Sequence, residues 1–93
     1  MPPTYKVELT GAAARQLRTL DSAAQLRIVT ALEVLQTEPR PPAMTALVGH
    51  PRYLRVRTGN YRIVYTIVDA RLLILVLALA YRKDVYRSFE RRA

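Results

Sequence analysis

The chain has 93 residues, 51% of them hydrophobic and 24% charged, with a formal charge of +8 and no cysteine. That length suits one domain spanning 1–93, and the apolar content excludes a disordered tail. The missing cysteines exclude disulfides, thiol catalysis and cysteine-rich zinc sites, and one histidine with seven scattered carboxylates offers little to any other metal, so neither metal nor cofactor is expected.

The opening "MPPTYKVEL" has no basic region followed by an apolar run, so no secretory signal is read there. Within it, "TYKVEL" (4–9) alternates enough to form a first strand, and Thr10 can cap a helix through "GAAARQLRTL". Next, "DSAAQ" offers Ser22 followed three residues on by Gln25, a capping-box pattern, with Asp21 as the rival cap. The second helix carries Leu26, Ile28, Val29, Leu32 and Leu35 as expected core and stops at about Glu38, where "TEPRPP" begins to break it.

From Arg40 to Pro51 the pattern predicts a proline-punctuated loop containing "ALVGHP". Three strands follow, Arg52–Thr58, Tyr61–Val68 and Arg71–Tyr81, joined by "GN" and "DA" turns. The third, "RLLILVLALAY", is almost continuously apolar, as a central strand covered on both faces would be; its apolar run is too short to span a bilayer as a helix. The fold class expected is α+β: an N-terminal strand, a helical hairpin and a three-stranded antiparallel meander forming a four-stranded sheet, then a short basic tail or helix, "RKDVYRSFERRA". A cytoplasmic protein with no membrane association is expected.

Charge is concentrated in one half. Residues 1–46 carry five basic and four acidic side chains (5 − 4 = +1), whereas residues 47–93 carry ten and three (10 − 3 = +7). Thirteen of the fifteen basic residues are arginine, whose planar fork suits phosphate. Such a field favours a polyanion: nucleic acid, an anionic membrane or an acidic protein. A GC-rich genome also encodes many arginines, so the count alone does not decide.

The register of "YLRVRTGNYRIVYTI" (53–67) adds more. With Gly59 and Asn60 as a two-residue turn, Arg57 falls opposite Arg62, Val56 opposite Ile63 and Arg55 opposite Val64. Alternation then gathers Leu54, Val56, Ile63, Tyr65 and Ile67 on the core face and Tyr53, Arg55, Arg57, Arg62, Val64 and Thr66 on the other. Like charges placed directly opposite destabilise a hairpin, so Arg57 against Arg62 is a cost that an anion site would explain. A solvated solubility face, or shielding by Asp84 or Glu90, is the plainer alternative.

On "GNYRIVY" (59–65) and "RKDVY" (82–86), in this order of elements, the chain resembles the RelE/ParE superfamily of bacterial toxins, the second motif resembling the RelE branch. The resemblance implies a type II toxin that cuts messenger RNA on the ribosome without metal, by attack of a 2′-hydroxyl on its own 3′-phosphate. By position, Arg62 matches the family's phosphate-clamping arginine, Arg82 a second basic active-site residue and Tyr86 the C-terminal tyrosine that stacks on or protonates substrate. Arg55 falls where many members carry a basic residue. These four are the expected catalytic set; Arg57, Tyr53, Lys83 and Arg87 are expected RNA contacts.

Two positions depart from the pattern: Tyr53 and Arg55 stand where some members have lysines, and Tyr81 where many have histidine. Arginine stays protonated at cellular pH and is a poor base. His50, whose ordinary pKa is near neutral, and Tyr81 are the candidate bases. The resemblance further implies a monomeric toxin held in a hetero-oligomer by a RelB-like antitoxin, with ribosome and messenger RNA as other partners. ParE-like action on DNA gyrase, or a toxin fold with weakened catalysis, are the alternatives.

Overall fold

The computed structural model describes residues 4–81, so the tail expected after Tyr81 lies outside the described residues, as do Arg82, Lys83, Asp84, Tyr86, Arg87 and Glu90. The order is β1 (Lys6–Leu9), α1 (Gly11–Arg18), α2 (Ser22–Thr37), β2 (Thr45–Leu47), β3 (His50–Thr58), β4 (Tyr61–Val68), a 3-10 turn (Asp69–Arg71) and β5 (Leu73–Tyr81). The strands form one sheet in the order β1-β5-β4-β3-β2. It is α+β as expected, with five strands in place of four.

The fifth strand comes from the expected loop. Thr45 and Ala46 pair antiparallel with Arg55 and Leu54, which satisfies backbone groups that an edge at β3 would otherwise leave to solvent. β1 pairs parallel with β5, Lys6 against Leu73 through Leu9 against Val76, and this makes β5 an interior strand.

Both helices begin on side-chain caps. Thr10 Oγ1 accepts from the Ala13 N–H at 3.2 Å and donates to the Leu77 carbonyl at 3.1 Å, so one hydroxyl starts α1 and ties it to β5. At α2 Asp21 rather than Ser22 is the cap, its carboxylate accepting from the Ala24 N–H at 2.8 Å. Gln25 donates instead to the Leu17 carbonyl at 3.0 Å, linking the two helices. Gln16 Oε1 accepts from the Leu79 N–H at 2.8 Å and fixes α1 along the sheet.

The main core lies between the helices and one sheet face: Ala13, Ile28, Leu32 and Leu35 meet Leu54, Ile63, Tyr65, Ile74, Val76 and Leu79. Each fully buried aliphatic side chain contributes about 1.5–3 kcal/mol of transfer free energy. Leu26 and Val29, expected in that core, are 67% and 42% exposed, and the buried side of α2 is Ala24, Ile28, Leu32 and Leu35. Positions spaced by three drift about 60° per step around a helix, so Leu26 and Leu35 point to opposite sides.

A smaller cluster forms on the other sheet face from Leu47, Val64 and Ala78, with Tyr53 and Leu77 against it. Leu77 reaches it because the β4–β5 pairing skips one residue, passing from Val64↔Ala78 to Tyr65↔Val76. β5 is thus covered on both sides.

Candidate functional site

The β3–β4 hairpin has the register read from sequence: Arg57 lies opposite Arg62, Val56 opposite Ile63, Arg55 opposite Val64 and Leu54 opposite Tyr65. Gly59 takes the positive φ, 61°, at the first central position of the turn, where glycine alone is unstrained. Core burial of Leu54, Ile63 and Tyr65 fixes which face is which. Arg55, Arg57 and Arg62 therefore project together from the face opposite the helices.

The three guanidinium groups differ in setting. Arg57 is exposed and bends toward the turn, its Nε donating to the Gly59 carbonyl at 3.1 Å. Arg55 and Arg62 are half-buried, and Nη1 of Arg62 is shielded from solvent. Their floor is the apolar cluster of Leu47, Val64 and Ala78, a low-dielectric surface beneath positive charge. An anion seated there is attracted more strongly than one in open water.

His50 joins this face through an irregularity that the sequence does not announce. A regular β2–β3 ladder from Ala46↔Leu54 would put Leu47 against Tyr53, but Leu47 pairs with His50. Pro51, Arg52 and Tyr53 bulge from the strand, and Thr66 Oγ1 holds the bulge by donating to the Arg52 carbonyl at 2.8 Å. The His50 ring then stacks on Tyr53, with centroids 5.6 Å apart and planes 25° from parallel. Tyr53 rests on the apolar floor.

Tyr81, the other candidate base, lies elsewhere. Its ring packs edge-on against Tyr61 at 5.4 Å, and Tyr61 belongs to the helix-side core, so Tyr81 and Arg62 stand on opposite sides of the sheet. Of the expected site residues, Tyr53, Arg55, Arg57, Arg62 and His50 share one face; Arg82, Lys83, Tyr86 and Arg87 fall outside the described residues. Among the described residues no group of three histidine or carboxylate side chains is placed to hold a metal ion.

Arg27 was not expected here. It reaches from α2 to the hairpin tip, where a Cβ on Gly59 would collide with its Nη1. The turn is thus bracketed by Arg27 on the helix side and Arg57 on the other. A spacing-based reading of α2 gives no sign of this contact, which depends on how the helix crosses the sheet.

An open cleft of about 540 Å³ lies at the far end of β3 and β4, lined in part by Arg40, Arg52, Thr66 and Asp69. Arg40 is already neutralised there, its Nη2 2.7 Å from Asp69 Oδ2. The Tyr5 hydroxyl donates to the same carboxylate at 2.7 Å. These bonds, Arg40's first, hold the Asp69 carboxyl below its ordinary pKa.

A family model described as the ParE toxin of type II toxin–antitoxin systems, parDE, matches residues 7–86. Among solved structures, a chain of the RelBE2 toxin–antitoxin complex from Mycobacterium tuberculosis superposes with a TM-score of 0.75 at 27% identity, over 85% of this chain and 99% of that one. A chain of the archaeal RelE–RelB complex from Pyrococcus horikoshii also gives 0.75 at 27% identity, over 86% and 97%. The isolated RelE toxin of E. coli shares the fold, with 0.74 at 23% identity over 95% and 97%. No curated protein sequence matches the chain.

Proposed function

Given that the chain belongs to the RelE/ParE toxin superfamily of type II toxin–antitoxin systems, we propose that it is an endoribonuclease that cuts messenger RNA on the ribosome. The observation that carries this reading is the set of Arg55, Arg57 and Arg62 on one sheet face above an apolar floor. The 2′-oxygen of a nucleotide attacks the phosphorus of its own 3′-phosphate, forming the new P–O bond as the bond to the 5′-oxygen of the next nucleotide breaks. The products are a 2′,3′-cyclic phosphate and a 5′-hydroxyl.

Arg62 and Arg55 act on the phosphorane, whose negative charge grows toward the transition state; removing one such donor costs about 10²–10³ in rate in comparable sites. Arg57, at the exposed end of the strip, holds a neighbouring phosphate. The arginines stay charged throughout, so the 2′-hydroxyl proton passes to another group. By family position Arg82 and Tyr86 complete the charge and protonate the leaving oxygen, and Lys83 and Arg87 add contacts to the RNA backbone.

The partner that silences the protein is a RelB-like antitoxin. The structural relatives from M. tuberculosis and P. horikoshii are themselves in toxin–antitoxin complexes, which supports this reading. A chain of charge +8 with three arginines on one sheet face is suited to an acidic segment that folds on its surface. The toxin is a monomer within that hetero-oligomer.

A second reading, poisoning of DNA gyrase, is favoured by the fact that the matching family model is the ParE one. Primer extension on a translated message after brief induction separates the two. New ends at codons, lost in Arg62→Ala combined with Arg82→Ala, are expected for the ribonuclease. Growth arrest with intact message and gyrase-linked DNA breaks would establish the second reading.

A further inference from the structure

We propose that the cleft at the far end of β3 and β4 is a docking groove for an acidic segment of the antitoxin, bound in extended form as a strand laid along β4. The inference rests on the antitoxin reading above and not on the ribonuclease one, because a poison of gyrase would need the same restraint. The groove combines an open strand edge, apolar walls and a cation.

It exists because two strands part before the second one ends. β4 runs to Val68, but its ladder with β3 stops at Leu54↔Tyr65. Carried on, the same register would set Arg52 against Ile67. The bulge turns β3 away instead, and the Thr66 hydroxyl takes the Arg52 carbonyl at 2.8 Å. Ile67 keeps Ile74 of β5 as its partner on one side and has none on β3 among the described residues. Successive residues of an antiparallel strand aim their N–H and C=O groups at alternate neighbours. Ile67 is two residues beyond Tyr65, so its backbone faces the space β3 has left, and a visiting strand finds a donor and an acceptor there.

The side chains around this edge suit a peptide that carries carboxylates. Pro51, Leu54, Val68 and Ala70 supply apolar walls, and Arg52 is an exposed cation among them that forms no ion pair. Arg40 is held by Asp69, and the turn that lines the groove continues into Arg71. Arg40, Arg52 and Arg71 against Asp69 leave the groove and its turn at +2 (3 − 1 = 2), which favours an acidic partner. RNA is also anionic, but it has no row of alternating amide donors and acceptors to match a strand edge. A peptide added to such an edge takes its affinity from main-chain bonds and its specificity from alternate side chains; here Arg52 selects Asp or Glu at one of them.

The test uses the full chain, freed of antitoxin and isotope-labelled for amide spectra. The probes are two acetylated hexapeptides, one alternating valine with glutamate and one alternating valine with lysine, and a single-stranded RNA hexamer. The glutamate peptide should shift the Ile67 N–H and the Arg52 Nε–H, whereas the lysine peptide and the RNA should leave the Ile67 N–H in place. Arg52→Glu, which replaces attraction by repulsion, should weaken the glutamate peptide about 2- to 30-fold. Arg52→Lys should keep most of the affinity, which separates loss of charge from loss of folding. Equal binding of the two peptides, or unchanged binding in Arg52→Glu, would overturn the proposal. So would an RNA that shifts the Ile67 N–H, since the groove would then follow a nucleic acid backbone. Failure of the antitoxin reading looks different: the glutamate peptide shifts the groove, yet induction of the chain alone leaves growth untouched, and the assignment of the groove to an antitoxin is then overturned.

Discussion

Arg57 and Arg62 occupy directly opposed positions on adjacent antiparallel strands. Two cations in that relation destabilise a hairpin by roughly 0.2–1 kcal/mol relative to neutral neighbours. Arg57→Thr should therefore raise stability in urea unfolding by up to about that amount. The same variant should bind single-stranded RNA more weakly and lower the log–log salt slope by about 0.7, the release expected of one phosphate contact. Lower stability together with an unchanged slope would show that Arg57 serves the fold.

Arg62 should behave differently, because it is half-buried over the apolar floor. Arg62→Ala should reduce cleavage about 10²–10³-fold while RNA affinity falls far less. Single-turnover rates beside equilibrium binding give the comparison, and equal losses in both would reassign Arg62 to substrate binding.

Gly59 carries a φ of 61° and lies against the Arg27 guanidinium. Gly59→Ala should cost about 1–2 kcal/mol from the left-handed backbone, with a further loss from the collision. Adding Arg27→Ala should recover the second part alone. Recovery of the whole loss would mean that the backbone had relaxed out of the positive-φ region.

Acid should act on Asp69. Arg40 and then Tyr5 hold its carboxyl below the ordinary 3.8. A depressed folded pKa stabilises the protein above the unfolded value, and that contribution is lost as pH falls through the lower folded one. Unfolding midpoints of wild type and Asp69→Asn should therefore converge as pH drops below about 4; a constant gap would show that Asp69 acts through packing.

Tyr65 is fully buried, and its hydroxyl donates to the Pro39 carbonyl at 2.8 Å. Burial pushes its pKa up from 10.0 to about 12. Stability tied to this proton is complete below the unfolded value and falls as pH rises through the folded one. Tyr65→Phe should cost about 0.5–1.5 kcal/mol at neutral pH and lessen alkaline unfolding between pH 10 and 12. Identical alkaline curves would place the titration elsewhere.

The arginine face was legible because the two-residue turn, alternation and apolar residues of 53–67 agree on one register, and that register is local. β2 was not legible. Its "TAL" has little strand propensity of its own and is held by pairing to β3 and by burial of Leu47. His50 could not be placed for the same reason, since its direction depends on how many residues the β2–β3 ladder skips. Leu26 and Val29 were misplaced by following every third residue of α2, a row that winds off the buried side. The helix caps followed from local chemistry, with the choice between Asp21 and Ser22 settled by geometry.

The parallel pairing of β1 with β5 joins Lys6 to Leu73 across 67 positions (73 − 6 = 67), whereas the β3–β4 hairpin closes over two. Loop-closure entropy therefore lets the arginine strip assemble early and makes the β1–β5 junction a late event in folding. Between those events β5 can already lie along β4, with Ala78 against Val64, but the Thr10 hydroxyl has yet to capture the Leu77 carbonyl. The hairpin is thus not a separable module: a chain that has made only its first seventy residues has the charges in register over a floor that still lacks Ala78.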